Sequence, residues 1–438
     1  NLKCSGSTFA GYSSPNRMNG LLINGSYRNI TVEDCTFYVF PENGILLKGP
    51  VGAANPQKLT AVLLKNVTAL GNNNDGLQVR ENAYQIDVLG GIFDSNGKNG
   101  IHLLSEYKDP LRYNVNPDLY PKYFPNDVRL FNATMSNNME NGIHVDAEKY
   151  YRQPDDITLE DNILIFDGNQ ITNNLENGIK NTDFFVNVSY SGFGEHGKYF
   201  VARNNIFNNT LAGIKVHTQK TQGPNGNEIN CMGPSGQWQY VRNKIAISSI
   251  NYVFWNIIDS NKNGIEVTID SYPPSNSISC NNVPPGYTSY IYLSFANRVR
   301  NNRESGVLYN LKEPFPTIWS PTSLDLGTWD QHYQNIISSN GNSGVFLNGS
   351  SSIPSNTYQQ WRDSRVSLSC NDIRNNRDYG VRVTGKNNPL FLDGQIMLGL
   401  FSFNIIDQNT IGGVYLNYTN LSSTPMGFQM RNSYIANH

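Results

Sequence analysis

One short pattern recurs twelve times along the chain, and this repeat restricts the fold more than any other feature. Each copy ends in a glycine followed by an apolar–x–apolar strand; these glycines are Gly20, Gly44, Gly76, Gly100, Gly142, Gly178, Gly213, Gly264, Gly306, Gly344, Gly380 and Gly413. Asn stands four residues before ten of the glycines, and an apolar residue stands seven before eleven of them. In the last seven copies, Asn also stands nine residues before six of the glycines. The consensus is N-x-[IF]-x-x-N-x-x-x-G-[IV]-x-[VL].

The copies are 24 to 51 residues apart, which is typical of stacked coils with insertions of variable length. A strand this short cannot bury a face alone, but stacked strands pair at about 4.8 Å and align like residues in ladders. We therefore predict an all-β fold, a right-handed parallel β-helix of about twelve or more coils. Aliphatic residues should face inward, Asn amides should bond along the stack, and glycine should supply a special backbone conformation at the corner. The long insertions follow the glycine strands and should lie on one side.

The repeat resembles that of the parallel β-helix proteins of the pectate-lyase-like superfamily, over essentially all 438 residues. The resemblance implies the fold but no single activity, because this architecture occurs in lyases, hydrolases, epimerases, tailspikes, adhesins and structural proteins. The "NTD" at 181–183 is similar to one element of polygalacturonase-type hydrolases, but the other elements of their motif do not follow it. We predict one continuous domain over 1–438, and a segment of a longer chain because the repeat runs to both ends.

Composition excludes several classes of protein. Asn supplies 63 residues and Gly 38, both poor helix formers, so a mainly helical fold is not expected. The net charge of −2 and the lack of a basic run argue against nucleic-acid binding. The sequence contains no stretch of 18 apolar residues, so no membrane span is predicted. Five cysteines lack metal-ligand spacing, and Cys35 and Cys370 fall at apolar positions that favour buried free thiols.

Ionisable residues are grouped in the middle copies, at the positions two and four after the glycine. Alternation along a strand points these side chains away from the interior. The candidates for a catalytic role are His102, His144, Asp146, Lys180, Lys215, His217 and Glu266. Lys180 and Lys215 would pair with an anionic or polar glycan. His102 or His144 would transfer protons, and Asp146 would orient a group or bind a metal. The alternative is an exposed sheet face with solvated charges.

The insertions are rich in aromatic residues, which suit stacking on sugars or contact with protein. The candidates for substrate binding are Tyr113, Tyr120, Trp238, Trp319 and Trp329. The alternative is that these rings pack the loops onto the coils. Nine N-x-S/T sequons are candidates for glycosylation, at Asn24, Asn29, Asn66, Asn132, Asn187, Asn208, Asn348, Asn417 and Asn420. We predict no metal site and no cofactor; calcium at "NNNDG" (72–76) is the one ion considered, and the turn ladder explains that stretch first.

The sequence leaves several classes of function open. The first is an extracellular or surface-exposed rod, an appendage or virion component, that presents loops for glycan or protein contact without a catalytic motif. The second is a polysaccharide lyase or glycoside hydrolase with its site on the face that carries His102, His144, Lys180 and Lys215. The third is a tailspike-like adhesin, in which apolar residues at the flanks of this face make contacts in a homo-oligomer or filament. These flanking residues are Leu22, Leu46, Leu308, Phe346 and Tyr415.

Overall fold

The structure is a computed structural model of the 438-residue chain. It describes residues 3–11, 18–50, 58–80, 83–104, 125–146, 163–182, 198–218, 231–232, 238–239, 246–270, 287–312, 323–327, 331–350, 365–386, 401–402, 404–419, 430–431 and 434–436. The chain divides into two compact units, the first of residues 1–151 and 158–213 and the second of 152–157 and 214–438. Nearly all of the described secondary structure is strand, arranged in three parallel sheets.

The first unit places three short strands in each coil, one in each sheet. The first sheet contains Lys3–Ser5, Arg28–Glu33, Leu59–Lys65, Ala83–Leu89, Asn126–Phe131, Ile163–Asp167 and Lys198–Ala202. The second sheet contains Thr8–Ala10, Thr36–Tyr38, Thr68–Leu70, Ile92–Asp94, Thr134–Ser136, Gln170–Thr172 and Asn205–Phe207. The third sheet contains Leu21–Asn24, Ile45–Lys48, Leu77–Arg80, Ile101–Leu104, Ile143–Asp146 and Ile179–Thr182. The strand Ala212–Thr218 runs from the first unit into the second.

The second unit repeats this arrangement. Its first sheet contains Ala246–Phe254, Tyr287–Phe295, Ser323–Gly327, Arg365–Ser369, Phe401–Ser402 and Met430–Arg431. Its second sheet contains Ile257–Asp259, Arg298–Arg300, Asn335–Ser338, Asn371–Arg374, Ile405–Asp407 and Tyr434–Ala436. Its third sheet contains Asn263–Asp270, Val307–Lys312, Val345–Ser350, Tyr379–Lys386 and Gly412–Thr419. A two-stranded antiparallel pair, Cys231–Met232 with Trp238–Gln239, and a 3-10 turn, Gln331–Tyr333, complete the described elements.

The predicted fold, a right-handed parallel β-helix, is confirmed. Strands of successive coils pair in parallel and in register, so that Ile101 lies beside Ile143, which lies beside Ile179. Side chains one and three residues after the repeat glycine form the inner aliphatic ladders, as in Leu77 and Val79, both fully buried. The long connections all follow strands of the third sheet, as predicted, although the residues between Leu104 and Pro125 and their counterparts lie outside the described residues.

Asn ladders connect the coils at two corners, as predicted, and at a third that the sequence analysis missed. In the first unit, Asn96, Asn138 and Asn174 are buried, and each amide donates to the Oδ1 of the next coil at 2.9–3.0 Å. The residue just before the glycine forms the third ladder, in which Asn141 Nδ2 donates to Asn99 Oδ1 at 2.9 Å. Buried backbone and side-chain amides are thereby satisfied without water, which burial requires.

The repeat glycines act through close packing rather than through a special backbone conformation. None of the repeat glycines Gly20, Gly44, Gly76, Gly100, Gly142, Gly178, Gly264, Gly306, Gly344 and Gly380 has a positive φ. Instead, a Cβ at Gly142 would lie 2.8 Å from the carbonyl oxygen of Gly178 and 2.4 Å from the Cγ2 of Ile171. The left-handed conformation occurs five residues earlier, where Asn137 and Asn173 have φ of 52° and 57°. The predicted conformational role of the glycine was therefore wrong, because the corner that needs φ > 0 is occupied by other residues.

The copy that ends at Gly264 lacks the expected Asn residues in the sequence alignment because it is one residue shorter. The structure gives it both ladders, with Asn256 bonded to Asn297 and Asn261 bonded to Asn302. Its inward apolar residue is Ile258, which is fully buried and pairs with Val299. The apolar residue seven before Gly264, which the repeat pattern predicts for that place, is Ile257, so the prediction was wrong for this copy. A shorter turn before Gly264 restores the register on the third sheet.

Two of the remaining sequence predictions are settled by the described residues. Cys370 is buried and forms no disulfide bond, as expected, whereas Cys35 is disulfide-bonded, so the prediction of a buried thiol without a disulfide was wrong for Cys35. Among the described residues, no helix is long and apolar enough to cross a membrane. The predictions of one continuous domain and of a longer parent chain stay predictions.

Candidate functional site

The first unit brings together a cluster of ionisable side chains on the outer face of its third sheet. His102 and His144 occupy equivalent positions of neighbouring strands, and Lys180 occupies the same position on the next one. The imidazole rings stack with their centroids 4.9 Å apart and 2° between their planes. Asp146, two residues after His144, places Oδ2 at 3.8 Å from His102 Nε2. We call His102, His144 and Asp146, with the neighbours described below, the histidine cluster.

Asp75 supports the histidine cluster from the corner of the preceding coil. Its side chain is fully buried, and Oδ1 accepts hydrogen bonds from the backbone and side-chain amides of Asn99 at 3.1 and 2.9 Å. Oδ2 accepts a bond from Gln78 Nε2 at 2.5 Å and lies 3.0 Å from His102 Nδ1. Since a carboxylate only accepts, Nδ1 of His102 carries the proton, and Nε2 is directed at Asp146.

His144 contacts a hydroxyl group on the next strand of the sheet. Its Nε2 lies 3.2 Å from the hydroxyl oxygen of Thr182, one strand further along the sheet. Its Nδ1 and the Nε2 of His102 are buried and have no hydrogen-bond partner among the described residues. Both nitrogens are shielded from solvent, and His144 as a whole is only 9% exposed, so water does not replace the missing partners. Lys180 turns to Glu176, at 3.8 Å, and adds a positive charge beside the cluster.

The surroundings separate the pKa values of the two histidines. Burial lowers the pKa of His102, but the carboxylates of Asp75 and Asp146 outweigh it and raise the pKa to about 9. Burial and the charge of His102 lower the pKa of His144 to about 3. The pKa of Asp75 is below its usual range although burial opposes this, because His102 and Asn99 stabilise the carboxylate. In the ligand-free protein at neutral pH, an imidazolium therefore stacks on a neutral imidazole.

Lys215, His217 and Glu266 belong to the second unit and form a different group there. Lys215 Nζ lies 2.9 Å from Glu266 Oε1, and Glu266 also accepts hydrogen bonds from Asn263 and Thr268, both at 3.0 Å. His217 is largely buried, with 8% exposed. Burial raises the pKa of Glu266, but Lys215 and the two hydrogen bonds outweigh it and hold the pKa below its ordinary value of 4.5. This group forms a satisfied ion pair.

The Lys215–Glu266 ion pair predicts a pH-dependent stability. Because the folded pKa of Glu266 is depressed, its contribution is fully present above pH 4.5 and is lost as pH falls through the folded pKa. We expect Glu266→Gln to lower the free energy of unfolding by about 2 kcal/mol at pH 7, and this loss should shrink as pH falls through the folded pKa of Glu266. Urea unfolding over a series of pH values from 7 downward measures the loss. A loss that stays constant over the whole series would show that the charge of Glu266 contributes nothing.

A second surface feature lies further along the third sheet of the second unit. Phe346, Arg382 and Tyr415 occupy equivalent positions of three neighbouring strands, and the guanidinium carbon of Arg382 lies 5.1 Å from the Phe346 ring centroid and 5.9 Å from that of Tyr415. Tyr379 stacks on Tyr415 at 4.7 Å, and Arg382 Nη1 donates to Asp378 Oδ2 at 2.8 Å. We call Phe346, Arg382 and Tyr415 the aromatic ridge.

A row of amides and a hydroxyl runs beside the aromatic ridge. Asn310, Asn348 and Thr384 stand two residues after the ridge positions of their strands. Asn348 Nδ2 donates to Asn310 Oδ1, and Thr384 Oγ1 donates to Asn348 Oδ1, both at 3.1 Å. Asn417 continues the row and bonds the hydroxyl of Tyr415 at 3.0 Å. The sequence analysis took Phe346 and Tyr415 as flanking apolar residues and missed that Arg382 joins them.

The other predicted residues are placed as follows. Tyr113, Tyr120, Trp319 and Trp329 lie outside the described residues, and only the backbone of Trp238 is described. Six glycosylation candidates are exposed, namely Asn24, Asn29, Asn66, Asn132, Asn208 and Asn417. Asn348 is half-buried in the amide row, and Asn187 and Asn420 lie outside the described residues. The sequence analysis missed three residues of the histidine cluster, namely Asp75, Gln78 and Thr182. Asp75 could have been noticed, because it stands just before a repeat glycine where other copies have Asn.

Comparison with known proteins finds no matching family model and no matching curated protein. Among solved structures, a mutant of the periplasmic alginate epimerase AlgG is similar with a TM-score of 0.39 and 12% identity, over 96% of this chain and 79% of that one. A second AlgG mutant and AlgG itself have TM-scores of 0.29 and 0.27 at 14% and 13% identity, each over 86% of this chain and 77% of theirs. The likeness is too distant to transfer a residue's role or an activity. What stands is the fold: a right-handed parallel β-helix.

Proposed function

We propose that this chain is a glycan-binding β-helix, and that a linear polysaccharide lies along the outer face of the third sheet in the second unit. The observation that carries the proposal is the aromatic ridge with the amide row beside it. Ring faces pack against the apolar faces of sugars, and amides and hydroxyls read their hydroxyl groups. Because each strand repeats these groups at about 4.8 Å, the surface suits a polymer of similar units better than a compact ligand.

The charges favour a neutral glycan on this surface. Arg382 is the cation of the ridge, and Asp378 already pairs with it at 2.8 Å. The ridge therefore offers ring faces and a neutralised guanidinium rather than a free positive charge. An extracellular or surface location, where such polymers occur, is part of this proposal. So is the possibility of other protein subunits as partners, because the same ring faces can pack against protein.

The proposal predicts which side chains carry affinity. We expect Phe346→Ala and Tyr415→Ala each to weaken binding of the polysaccharide ligand about tenfold, since each loses a stacking contact worth about 1.4 kcal/mol. Affinity electrophoresis against a panel of neutral and acidic polysaccharides identifies the ligand, and calorimetry gives the affinities. Trp255→Ala is the matched control, because Trp255 is an exposed aromatic residue outside the ridge. Equal losses in all three variants, or no binding by the parent, would contradict the proposal.

The histidine cluster favours a second candidate function, cleavage of a polysaccharide on the first unit. One ligand atom from each of His102, His144 and Asp146 lies within 4.8 Å of the other two, which is the closeness that proton transfer between positioned side chains needs. Incubation with the same panel, followed by assays for reducing ends and for unsaturated uronates, separates cleavage from binding. Products formed equally by the parent and by His144→Ala would place the activity elsewhere.

A further inference from the structure

We propose that His102, His144 and Asp146 bind a divalent transition-metal ion of the Zn²⁺ class. One ligand atom from each of the three residues lies within 4.8 Å of the other two. The ring nitrogens available to an ion are His102 Nε2, which is 3.8 Å from Asp146 Oδ2, and His144 Nδ1, because neither forms a hydrogen bond among the described residues. Two imidazoles and one carboxylate are a donor set that Zn²⁺ and its neighbours in the first transition row prefer. The inference departs from the sequence prediction of no metal site, although the sequence analysis named Asp146 as a residue that would bind a metal.

The first support is that the two ring nitrogens facing this space form no hydrogen bond with the described residues. His102 Nε2 and His144 Nδ1 are both buried without a hydrogen-bond partner among the described residues. Leaving a buried polar atom unpaired is unfavourable, so two such atoms side by side call for an explanation. Asp146 Oδ2, at 3.8 Å from His102 Nε2, is too far away to satisfy it by a hydrogen bond. A shared cation would satisfy both nitrogens.

The second support is that the opposite edge of each ring is held by the protein. Asp75 accepts from His102 Nδ1 at 3.0 Å, and Thr182 Oγ1 lies 3.2 Å from His144 Nε2. A histidine that binds a metal through one nitrogen almost always has its other nitrogen fixed by a carboxylate, carbonyl or other polar group. Asp75 thus keeps the proton on Nδ1 of His102 and directs Nε2 to the ion. A histidine nitrogen must be deprotonated to bind a metal, so binding at Nε2 should become tighter as pH rises.

The third support is that the β-helix does not require an acid at position 75. Equivalent positions of the first unit hold Asn19, Asn43, Asn99 and Asn141, which bond along the stack. Asp75 still accepts from Asn99, but a carboxylate has no hydrogen to donate to Asn43, so the ladder loses one bond there. The oxygen that replaces the amide nitrogen faces His102 and Gln78 instead. The exception in the ladder therefore serves the histidine cluster.

The geometry must adjust to accept the ion. In a tetrahedral site, two ligand atoms each about 2.1 Å from a Zn²⁺ ion lie about 3.4 Å apart. The atoms of the cluster, spread over up to 4.8 Å, must therefore draw together by up to about 1.4 Å. The rings are parallel, so at least one must turn to bring the ion into both planes, and rotation about the broad χ2 torsion of histidine supplies this. Three protein ligands leave a fourth position open, as in catalytic zinc sites.

The test measures metal binding directly on untagged protein freed of metal by a chelator. Equilibrium dialysis against ZnCl₂ with elemental analysis gives the stoichiometry, and visible absorption of the Co²⁺ form reports the ligand geometry. We expect one Zn²⁺ per chain with a Kd of about 1 μM or tighter. His144→Ala should abolish stoichiometric binding, and Asp146→Asn should weaken it. His332→Ala is the control, because His332 is an exposed histidine outside the cluster.

Asp75→Asn tests the support behind His102 without changing a ligand. Asn restores the ladder bond to Asn43 but turns an N–H group toward Gln78 Nε2 and His102 Nδ1, so the thermal midpoint without metal should fall, and binding is measured well below that midpoint. The loss of the carboxylate behind His102 should weaken Zn²⁺ binding 10- to 100-fold. Binding that is equal in the parent and in His144→Ala, or far below one ion per chain in the parent, would overturn the inference. Because no glycan is present, failure here leaves the proposed glycan binding intact; only a role of the ion in cleavage rests on the second candidate function.

Discussion

Gly142→Val is expected to unfold the middle coils of the first unit. A Cβ at this position would lie 2.4 Å from Ile171 Cγ2, 2.8 Å from the carbonyl oxygen of Gly178 and 3.0 Å from Asn174 Nδ2. Two of these atoms belong to the backbone and to a ladder amide, which cannot move without breaking the pairing of the next coil. We expect a loss of more than about 3 kcal/mol, above the usual cost of overpacking, together with a large fall in the thermal midpoint.

Gly71→Asn is the matched control for the glycine argument. Gly71 has a φ of +58°, and a Cβ there would meet nothing closer than Val39 Cγ2 at 3.9 Å. Equivalent corners hold Asn137 and Asn173 at positive φ, so Asn should fit with little change in stability. Circular dichroism melts of both variants give the comparison. If Gly142→Val melted with the control, close packing between coils would not be the reason for the repeat glycine.

The repeat could be recognised in the sequence because stacking places residues of the same type next to each other in successive coils. Asn at a fixed distance before glycine marks a ladder whose members bond to one another, as Asn138 and Asn174 do. His102 and His144 both stand two residues after a repeat glycine, so the repeat predicts that they lie side by side, as they do. Each of these inferences depends only on periodicity, which a parallel in-register stack preserves from coil to coil.

What the sequence could not reveal depends on single exceptions within the repeat. A one-residue deletion before Gly264 hid Asn256 and Asn261, because fixed spacing assumes that every turn has the same length. Asp75 was read as part of a turn, since only the coordinates show that its second oxygen turns toward His102. The repeat thus accounts for the fold, whereas the candidate site arises where one coil departs from its neighbours.

Asn138→Leu is expected to be among the most damaging single changes in an Asn ladder. Asn138 is fully buried; its Nδ2 donates to Phe93 O at 3.1 Å and to Asn174 Oδ1 at 2.9 Å. Its Oδ1 accepts from the backbone and side-chain amides of Asn96 at 3.1 and 3.0 Å. Leu has a similar volume but leaves the Asn96 backbone amide buried without its acceptor, and it removes one hydrogen bond each from Phe93 O, Asn96 Nδ2 and Asn174 Oδ1. At about 1–3 kcal/mol for the unpaired amide and about 1 kcal/mol for each bond lost, we expect a loss of about 4 kcal/mol.

Two further variants show whether hydrogen bonding or volume causes this loss. Asn138→Asp keeps the shape and the accepting oxygen but replaces the donor with a second acceptor facing Phe93 O and Asn174 Oδ1, so it should also destabilise strongly. Met139→Ala changes the adjacent, mostly exposed side chain and should shift the free energy of unfolding by at most about 0.5 kcal/mol. Urea unfolding of the four proteins measures the differences. A stable Asn138→Leu protein would mean that the inner aliphatic ladders alone hold the coils in register, and that the Asn ladders only follow from it.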